Sequence, residues 1–459
     1  MLTYRKDIDG LRAVAVLPVV LYHAGFAFTS GGYVGVDVFF VISGYLITGI
    51  IAAELRNDNF SLLSFYERRA RRILPALMFV LLCSFVAGAV LLLPDQFNEF
   101  AKSALATATF LANIWFWDQP GGYFSEETEF WPLLHMWSLA VEEQFYVFYP
   151  LLLMAVFRFG RQVLLGGLVL GLLVSFAVSV YYLDSQADAA FYLTPARAWE
   201  LGLGAAVALF TIPSPQRQWI REAIAAVALL AIIIPVVTYD LETMFPGPAA
   251  LPPCLGAAAL IWIGASGPTR VSQLLSWRPM VLCGLISYSL YLWHWPIFAF
   301  YRVRQYAVEL SFIEATLLIA LSVIMAIVSW RYVEKPFRNR NLLNTERVFT
   351  ASGGALAAVA IFSLSILAGQ GLPGRLPQEA LAMVNAAKTR VPQFEGCIWT
   401  DPAADICHLG DLDADRSDFL FWGDSHAEAL LVSMDQAGRQ TGLRGEFVGQ
   451  PGCPPLQGV

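Results

Sequence analysis

The stretch ILPALMFVLLCSFVAGAVLLLP, at residues 73–94, decides the class of fold because none of its side chains is charged. The hydrocarbon core of a bilayer is about 30 Å thick, and a helix needs about 20 apolar residues to cross it. Ten further uncharged stretches, some of them shorter, lie at residues 13–36, 38–53, 144–157, 162–183, 201–216, 223–239, 243–269, 279–301, 315–330 and 348–374. The sequence therefore predicts a polytopic α-helical membrane protein with about eleven transmembrane helices.

The composition supports this class and excludes several others. Apolar residues make up 57% of the 459 residues and charged residues 14%, whereas soluble domains have about 45–50% and about 25%. A wholly soluble, disordered or collagen-like chain is therefore excluded. The net charge of −7 offers no basic surface for nucleic acid, so no such partner is expected. Six cysteines are too few for a disulfide scaffold.

The distribution of basic residues predicts the orientation of the spans. With the N-terminus in the cytoplasm, nineteen Lys and Arg residues fall in inner loops and three, Lys102, Arg302 and Arg304, in outer loops. This asymmetry is the one that the positive-inside rule describes. Arg302 and Arg304 are expected to reach toward the lipid headgroups. Residues 103–117 are predicted to form an interfacial or re-entrant helix, and eleven spans place the C-terminal tail outside.

Ionisable residues within apolar helices are costly and are therefore candidates for function. Arg12 and His23 are 11 residues apart, so they share one helix face and lie about 16 Å apart along its axis. In the simplest interpretation Arg12 fixes the topology and His23 packs in the core, but the shared face favours a functional role. Asp37, at the start of the second span, is a possible partner of His23 or a plain interfacial acid.

Arginines cluster at the start of the third span, at residues 68–72. Arg69 and Arg72 are three residues apart and face the same side of a helix. Two guanidinium groups placed in this way can bind a phosphate. The alternative is that the cluster binds anionic lipid or only fixes the topology.

Three further sites place polar groups within spans. Glu142 and Glu143 begin one span, and because neighbouring helical residues point about 100° apart, at most one of them faces a given site. Arg197 and Glu200, at positions i and i+3, predict an ion pair inside the membrane. His294 lies in an aromatic stretch that lines a pocket or forms an interfacial belt.

Taken together, these motifs resemble the integral-membrane acyltransferase-3 family. The resemblance rests on Arg12 with His23, Arg69-x-x-Arg72-Ile73-x-Pro75, Ser138-Leu139-x-x-Glu142-Glu143-x-Phe145-Tyr146, Arg197-x-Trp199-Glu200 and Ser289-x-Tyr291-x-x-His294. It implies an enzyme of the bacterial inner membrane that uses acyl-CoA, such as acetyl-CoA, from the cytoplasmic side. The acceptor would be a hydroxyl of a cell-surface glycan, such as the O-antigen of lipopolysaccharide, or of a lipid-linked oligosaccharide, and membrane lipid would surround the spans.

The resemblance also implies roles for individual residues. Arg12, Arg69 and Arg72 would bind the phosphates of acetyl-CoA. His23 would act as general base or transient acyl acceptor, tuned by Asp37 or Glu142. The pocket would be completed by Glu143, Arg197, Glu200 and His294. No metal site is expected, because the five histidines do not show ligand spacing.

The tail differs in composition from the spans and reads as soluble protein from about residue 370. FLFW, at residues 419–422, predicts a buried strand, and GDSH, at residues 423–426, predicts a sharp turn into a helix. This turn resembles the first block of SGNH hydrolases and makes Ser425 the nucleophile, at the positive end of a helix dipole. No Asp-x-x-His follows Ser425, so the domain is expected to be truncated, and the alternative is that this tail is inactive. Cys397 and Cys407 are expected to form a disulfide outside the membrane.

The predicted domains are a ten-helix acyltransferase domain at residues 1–340, an eleventh helix and linker at 341–375, and part of an extracytoplasmic SGNH-like domain at 376–459. Two alternative functions remain. A transporter that flips a lipid-linked sugar would also have buried charges and glycine-rich helices, although the sequence shows no internal repeat. The second alternative is a membrane-anchored SGNH esterase, although eleven spans are more than an anchor requires.

Overall fold

The structure, a computed structural model, describes residues 4–339, 344–388, 407–414, 416–423, 427 and 430–449. The chain divides into two compact units, Met1–Leu372 and Pro373–Val459. The described part of the first unit is helical, whereas the second combines helices with a small sheet. The two units are described separately.

Helices of very different length make up the first unit. They are α1 Lys6–His23, α2 Gly35–Arg56, α3 Leu62–Leu91, α4 Pro94–Ala108, α5 Ala112–Trp117, α6 Met136–Phe157, α7 Arg161–Ser185, α8 Ala187–Tyr192, α9 Thr194–Leu209, α10 Gln218–Thr238, α11 Leu251–Gly264, α12 Arg270–Leu275, α13 Arg278–Gln305, α14 Phe312–Val328, α15 Lys335–Phe337 and α16 Thr345–Ala368. A π-helix, Ser329–Glu334, joins α14 to α15. Short 3-10 turns at Ala27–Thr29, Gly32–Val34, Glu126–Phe130 and Gly247–Ala250 lie in the loops.

Nine stretches within the described residues are long and apolar enough to cross a membrane. They contain α2, α3, α6, α7, α10, α11, α13, α14 and α16. The predicted fold class, a polytopic helical membrane protein followed by part of an α/β domain, is confirmed. The other two predicted spans correspond to α9, which has only 16 residues, and α1, which begins with the charged sequence KDIDGLR. Both of these helices carry candidate site residues.

The limits of the first predicted span, residues 13–36, are wrong. α1 ends at His23, the chain reverses through Gly25 with φ of 84°, and α2 begins only at Gly35. Gly35 lets the returning chain lie directly on α1, because a Cβ added there would be 2.1 Å from the carbonyl oxygen of Ala15. His23 therefore stands at a helix end beside a loop, and not in the middle of a span.

Helices α2 and α9 touch at backbone distance because each presents a glycine to the other. A Cβ added to Gly44 would lie 1.8 Å from the carbonyl oxygen of Leu201, and one added to Gly204 would lie 2.0 Å from that of Val41. No larger side chain fits at either position without moving a helix. This contact brings the first turn of α2 against α9.

The helices differ in how much of their apolar surface is buried. Most of the α2 stretch is buried inside the unit, whereas most of the α7 and α16 stretches is exposed. Exposed side chains such as Leu170, Leu173 and Phe362 suit lipid tails, which dissolve apolar groups without cost. The interior of the unit is therefore built around α1, α2, α6, α9 and α13.

Residues 103–117, predicted to be interfacial or re-entrant, belong to two helices. α4 and α5 are separated at Phe110, which adopts a positive φ of 56°. Neither helix is among the nine that could span a membrane in the described part of the chain. Their position at a membrane interface stays a prediction.

The second unit contains α17 Gln378–Lys388, β1 Cys407–Gly410, β2 Phe419–Gly423, α18 Leu431–Thr441 and β3 Arg444–Gly449. β3 is central, antiparallel to β1 and parallel to β2, and Phe447, Leu409 and Leu431 form the core. The strand predicted at residues 419–422 is present, but the prediction that it is buried is wrong, because Leu420 and Trp422 are exposed on one of its faces. Cys407 is disulfide-bonded, while Cys397 and Ser425 lie outside the described residues.

Candidate active site

A cavity of about 1230 Å³ lies among α1, α2, α3, α6 and α13. Arg12 of α1, Arg69 and Arg72 of α3, and Glu142 of α6 all line it. The three arginines come from helices that are distant in sequence, so the fold itself assembles the cluster. The residues that the sequence grouped as phosphate ligands therefore meet in one chamber.

Two of these arginines, Arg69 and Arg72, have no carboxylate partner among the ion pairs of the described residues. The guanidinium carbon of Arg69 lies 5.9 Å from the ring centres of both Phe65 and Tyr146. Its Nε atom is buried without a hydrogen-bond partner in the described part of the chain. Partly buried guanidinium groups that form no ion pair attract anions, so this end of the cavity is suited to a phosphate-bearing ligand.

Other arginines of the cavity already have partners. Arg12 Nη1 lies 3.3 Å from Asp9 Oδ1. Arg338 Nη1 lies 3.0 Å from Glu334 Oε1, and Glu334 Oε2 accepts a hydrogen bond from Ser289 Oγ at 3.1 Å. The sequence reasoning counted Arg338 only as a topology signal. Arg338 follows Glu334 by four residues, and this spacing could have indicated an ion pair between them.

The adjacent acids Glu142 and Glu143 have different surroundings, as the helical angle between them predicts. Glu142 faces the cavity and accepts hydrogen bonds from Ser43 Oγ at 2.8 Å and Tyr146 Oη at 3.2 Å. Glu143 is buried, and its Oε1 has no partner among the described residues. Neither ring nitrogen of His23 bonds to Glu142, so the predicted pairing of these two residues is wrong.

His23 belongs to a buried cluster at the other end of α1. Its Nδ1 lies 3.0 Å from His294 Nε2, and its Nε2 lies 3.0 Å from Tyr123 Oη. His294 Nδ1 lies 2.7 Å from the carbonyl oxygen of Tyr291. His294 was singled out from the sequence, but Tyr123 was missed, because nothing in its loop marks it as a site residue.

When the rings of His23 and His294 are both neutral, these distances determine which ring nitrogens carry the protons. A carbonyl oxygen only accepts, so His294 Nδ1 carries a proton and His294 Nε2 is an acceptor. His23 Nδ1 must then donate to His294, which leaves His23 Nε2 as the acceptor of the Tyr123 hydroxyl. The basic nitrogen of His23 therefore faces the position of a hydroxyl group.

Arg302 holds the end of α1 in place. Its Nη2 donates to the carbonyl oxygen of His23 at 2.7 Å, and its Nη1 lies 2.7 Å from Glu129 Oε2. Arg302 is only 4% exposed, so the expectation that it reaches the lipid headgroups is wrong. Burial raises the pKa of the Glu129 carboxyl, and the Arg302 guanidinium opposes this rise. The pair ties the loop after α5 to the helix end that carries His23.

Asp37 is not a partner of His23, and this part of the prediction is wrong. Asp37 Oδ1 accepts a hydrogen bond from Arg197 Nη2 at 2.9 Å, and Arg197 Nη1 lies 3.3 Å from Glu200 Oε1. The physical reason is the glycine contact between α2 and α9, which sets the Asp37 side chain against Arg197 of α9, although Gly35 in the same turn packs on α1. The ion pair that the i, i+3 spacing of Arg197 and Glu200 predicted is present.

The Arg197 guanidinium is enclosed by aromatic rings. The ring centres at 5.6–5.7 Å from its carbon are those of Phe40, Trp137, Phe191 and Phe245, a favourable cation–π geometry. Tyr123 stacks on Phe191 with ring centres 4.3 Å apart. The buried triad and the His23 cluster therefore share one aromatic wall.

Asp37 and Glu200 also form, with Cys254, the one group of possible metal ligands found in the described residues, with donor atoms within 4.8 Å of one another. Arg197 already contacts both carboxylates. The positive charge that a metal ion would bring is thus supplied by the chain itself. The arrangement fits a structural ion triad better than a metal site.

A hydrogen-bonded pair of side chains lines the cavity on the side that faces the histidines. Ser138 Oγ and Tyr291 Oη, which both line the cavity, lie 2.6 Å apart. Tyr291 Oη also donates to the carbonyl oxygen of His135 at 2.8 Å. The ring centre of Tyr291 lies 5.4 Å from that of His294, but neither His23 nor His294 is among the residues that line the cavity.

Comparison with known proteins places both units. Residues 5–331 match the family model described as an acyltransferase domain, and residues 396–459 match an SGNH domain of the kind fused to such domains. No solved structure matches the chain significantly.

Three relatives illustrate the similarity. The O-acetyltransferase OatA of Staphylococcus aureus (strain NCTC 8325 / PS 47) is 31% identical over 73% of this chain and 58% of its own length. The putative peptidoglycan O-acetyltransferase YrhL of Bacillus subtilis (strain 168) is 31% identical over 75% and 57%. The peptidoglycan O-acetyltransferase OatA of Listeria monocytogenes is 30% identical over 79% and 63%. The chain thus spans about 60% of the length of these relatives.

Proposed function

We propose, because this chain belongs to the acyltransferase family whose domain model covers residues 5–331, that it is an O-acyltransferase. It moves an acyl group, most simply acetyl, from acyl-CoA to a hydroxyl of a cell-surface glycan. One observation carries the proposal: Arg12, Arg69 and Arg72 meet in one cavity, at one end of the helix whose other end holds His23.

The cavity suits the donor in charge and in size. Coenzyme A carries several phosphate charges, and Arg69 and Arg72 offer guanidinium groups that form no ion pair with a carboxylate in the described part of the chain. Pockets for ordinary small molecules are about 300–1,000 Å³, and this one is about 1230 Å³. The rise of about 16 Å from Arg12 to His23 is comparable to the reach of the pantetheine arm, so the thioester can approach the histidines.

His23 supplies the base for the transfer. Its Nε2 accepts a proton from the Tyr123 hydroxyl or from an acceptor hydroxyl that replaces it. A carbon–oxygen bond forms at the acyl carbon while the carbon–sulfur bond breaks, and the proton ends on the sulfur of coenzyme A. His294 keeps the required tautomer, because its Nε2 holds the proton of His23 Nδ1. A transient acyl group on His23 is the two-step form of the same proposal.

The orientation follows from the basic loops. The N-terminus and the arginine end of the cavity face the cytoplasm, where acyl-CoA is made, and the acceptor is met on the other side of a bacterial inner membrane. The names of two relatives specify peptidoglycan. Peptidoglycan and the O-antigen of lipopolysaccharide are therefore the two acceptors to compare, either of them presented on a lipid-linked precursor.

The tail completes the proposal. We assign residues 1–340 to the acyltransferase domain, 341–375 to a last helix and linker, and 376–459 to part of an extracytoplasmic SGNH domain. Ser425 accepts the acyl group on the outer side and passes it to a sugar hydroxyl, and Cys397 pairs with Cys407. The match of residues 396–459 to an SGNH domain supports this assignment.

The test is transfer of label from [¹⁴C]acetyl-CoA, supplied to the arginine side of sealed proteoliposomes, to glycan on the opposite side. We expect wild-type protein to acetylate the glycan and His23→Ala to lose at least about 10³-fold in rate, as the loss of a general base predicts. Ser425→Ala is expected to keep consumption of acetyl-CoA but to reduce glycan labelling.

Other results support the two alternatives. Label that crosses the membrane without becoming glycan ester indicates a transporter. Ester hydrolysis that depends on Ser425 and not on His23 indicates an anchored esterase. Either result contradicts the proposed acyl transfer.

A further inference from the structure

His135 is a buried histidine that the proposed reaction does not use. It is 2% exposed, and neither of its ring nitrogens has a hydrogen-bond partner among the described residues. The ring makes a weak hydrogen-bond contact with the backbone of Leu292, which does not meet the distance and angle limits of a full hydrogen bond. His23 and His294, in contrast, are fully bonded. A buried polar ring without partners is costly and calls for an explanation.

The position of His135 supplies one. Its ring centre lies 5.4 Å from that of Tyr291 and 5.8 Å from that of His294. Tyr291 forms, with Ser138, the inner wall of the cavity, while His294 holds His23. His135 therefore lies next to Tyr291, which lines the cavity, and next to His294, which bonds His23.

The wall can open without breaking the helices. Within the described residues, Tyr291 Oη forms two hydrogen bonds, one to Ser138 Oγ and one to the carbonyl oxygen of His135. A thioester carbonyl that enters from the cavity can accept a hydrogen bond from Ser138 Oγ in place of the Tyr291 hydroxyl, which then moves aside and loses its bond to the carbonyl oxygen of His135. The ring of His135 lies beside this position, with its centre 5.4 Å from that of Tyr291, so its nitrogens are available to a carbonyl oxygen that enters there.

We propose that His135 is a further catalytic residue, whose ring N–H binds the thioester carbonyl oxygen of acyl-CoA. The proposal rests on the acyl transfer proposed above. As the acyl carbon bonds to the acceptor oxygen, negative charge grows on the carbonyl oxygen, and a neutral imidazole N–H in a dry site stabilises it. The carbon–sulfur bond then breaks, the sulfur receives the proton that His23 took from the hydroxyl, and His135 keeps its own proton.

Two substitutions separate binding from catalysis. His135→Leu removes both ring nitrogens at similar volume, whereas His135→Gln keeps an N–H donor. Trp293→Phe is a matched control, since Trp293 also carries a buried indole N–H without a partner in the described part of the chain but packs on Phe79 of α3. The full chain in lipid nanodiscs is assayed for binding of coenzyme A and for release of free thiol from acetyl-CoA in the presence of the glycan that the wild type acetylates.

We expect His135→Leu to lower kcat at least about 100-fold, the usual loss of an oxyanion donor, with the KM for acetyl-CoA and the Kd for coenzyme A within threefold of wild type. His135→Gln should recover at least a tenth of the wild-type kcat, and Trp293→Phe should behave as wild type. Equal losses in His135→Leu and His135→Gln, a parallel loss of coenzyme A binding, or near-normal turnover in His135→Leu would each overturn the proposal. Failure of the wild type to bind coenzyme A would instead overturn the proposed function.

Discussion

The two ends of α1 present opposite arrangements of polar groups. At the Arg12 end, arginines line a cavity, and two of them have no carboxylate partner among the described residues. At the His23 end, both ring nitrogens of the imidazole have a partner at 3.0 Å, and Arg302 donates to the backbone oxygen of His23 at 2.7 Å. The first arrangement leaves guanidinium groups available to bind a ligand. The second fixes the orientation of the His23 ring before any ligand binds.

This difference indicates a division of work. An incomplete set of charges can be completed only by an anion that enters from outside, so the arginine end is a recognition site. In a complete network, every hydrogen bond helps to fix the orientation of the side chains, which is how enzymes hold reacting groups in position. Substitutions at the arginine end should therefore change affinity, and substitutions at the closed networks should change stability or turnover.

The largest effect is expected at the triad of Asp37, Arg197 and Glu200, which is fully buried. Arg197→Met removes the only cation of the triad and leaves two carboxylates facing each other within an apolar box. Breaking a buried ion pair in this way costs about 3–5 kcal/mol. We expect a large fall in the temperature of thermal unfolding in nanodiscs, with activity lost in parallel.

Arg197→Lys serves as the matched variant. It keeps the charge but cannot contact both carboxylates in the planar geometry of the guanidinium, so an intermediate unfolding temperature is expected. If Arg197→Met unfolded at the wild-type temperature, the triad would not be a structural element, and a role for it in binding would have to be considered.

The second largest effect is expected at the Arg12 end of α1, where arginines line the cavity. Arg69→Met and Arg72→Met should each weaken binding of coenzyme A about 10–100-fold, since a charge-assisted hydrogen bond contributes about 1.5–3 kcal/mol. The unfolding temperature should stay close to that of the wild type, because neither residue has a carboxylate to leave unpaired in the described part of the chain. Titration with coenzyme A and thermal unfolding of the same samples measure both quantities.

Arg56→Met is the control for this experiment, because Arg56 is exposed at the end of α2 and does not line the cavity. If Arg56→Met and the two α3 variants bound coenzyme A with equal affinity, the cavity would not be the binding site of the acyl donor. A fall in stability without a change in affinity would give the arginines a structural role only.

The sequence was informative where the determinants are local. Residues three or four apart on a helix meet whatever the fold, so the pair of Arg197 and Glu200 and the common face of Arg69 and Arg72 could be predicted. The positive-inside pattern also placed Arg12 and the α3 arginines at the same membrane face, which is a condition for their meeting. Apolar content alone was enough for the fold class.

The sequence was misleading where partners come from distant segments. His23 bonds to groups 100 and 271 positions away, and no spacing rule connects them. Asp37 is close to His23 in sequence, but a glycine contact with α9 decides which way it faces. Hydropathy also merged α1 with the start of α2, because the reversal at Gly25 contains no charged or strongly polar residue to mark it.

The smallest effect is expected from Tyr123→Phe, which changes only the hydroxyl that faces His23 Nε2. The ring should stay in place because it stacks on Phe191, so the unfolding temperature should hardly change. A neutral hydrogen bond contributes about 0.5–1.5 kcal/mol. If the hydroxyl positions His23 or relays its proton, its loss should lower kcat by up to about tenfold at unchanged KM for acetyl-CoA, measured as initial rates of thiol release.

Tyr239→Phe distinguishes this role from the general loss of a hydroxyl. The Tyr239 hydroxyl donates to the carbonyl oxygen of Ala249 at 3.1 Å, so the substitution removes one neutral hydrogen bond that does not involve a histidine. Equal turnover in both variants would mean that the Tyr123 hydroxyl only fills space beside His23. A lower kcat in Tyr123→Phe alone would show that the closed end of α1 acts on the reaction through its hydrogen bonds, whereas the open end acts through its charge.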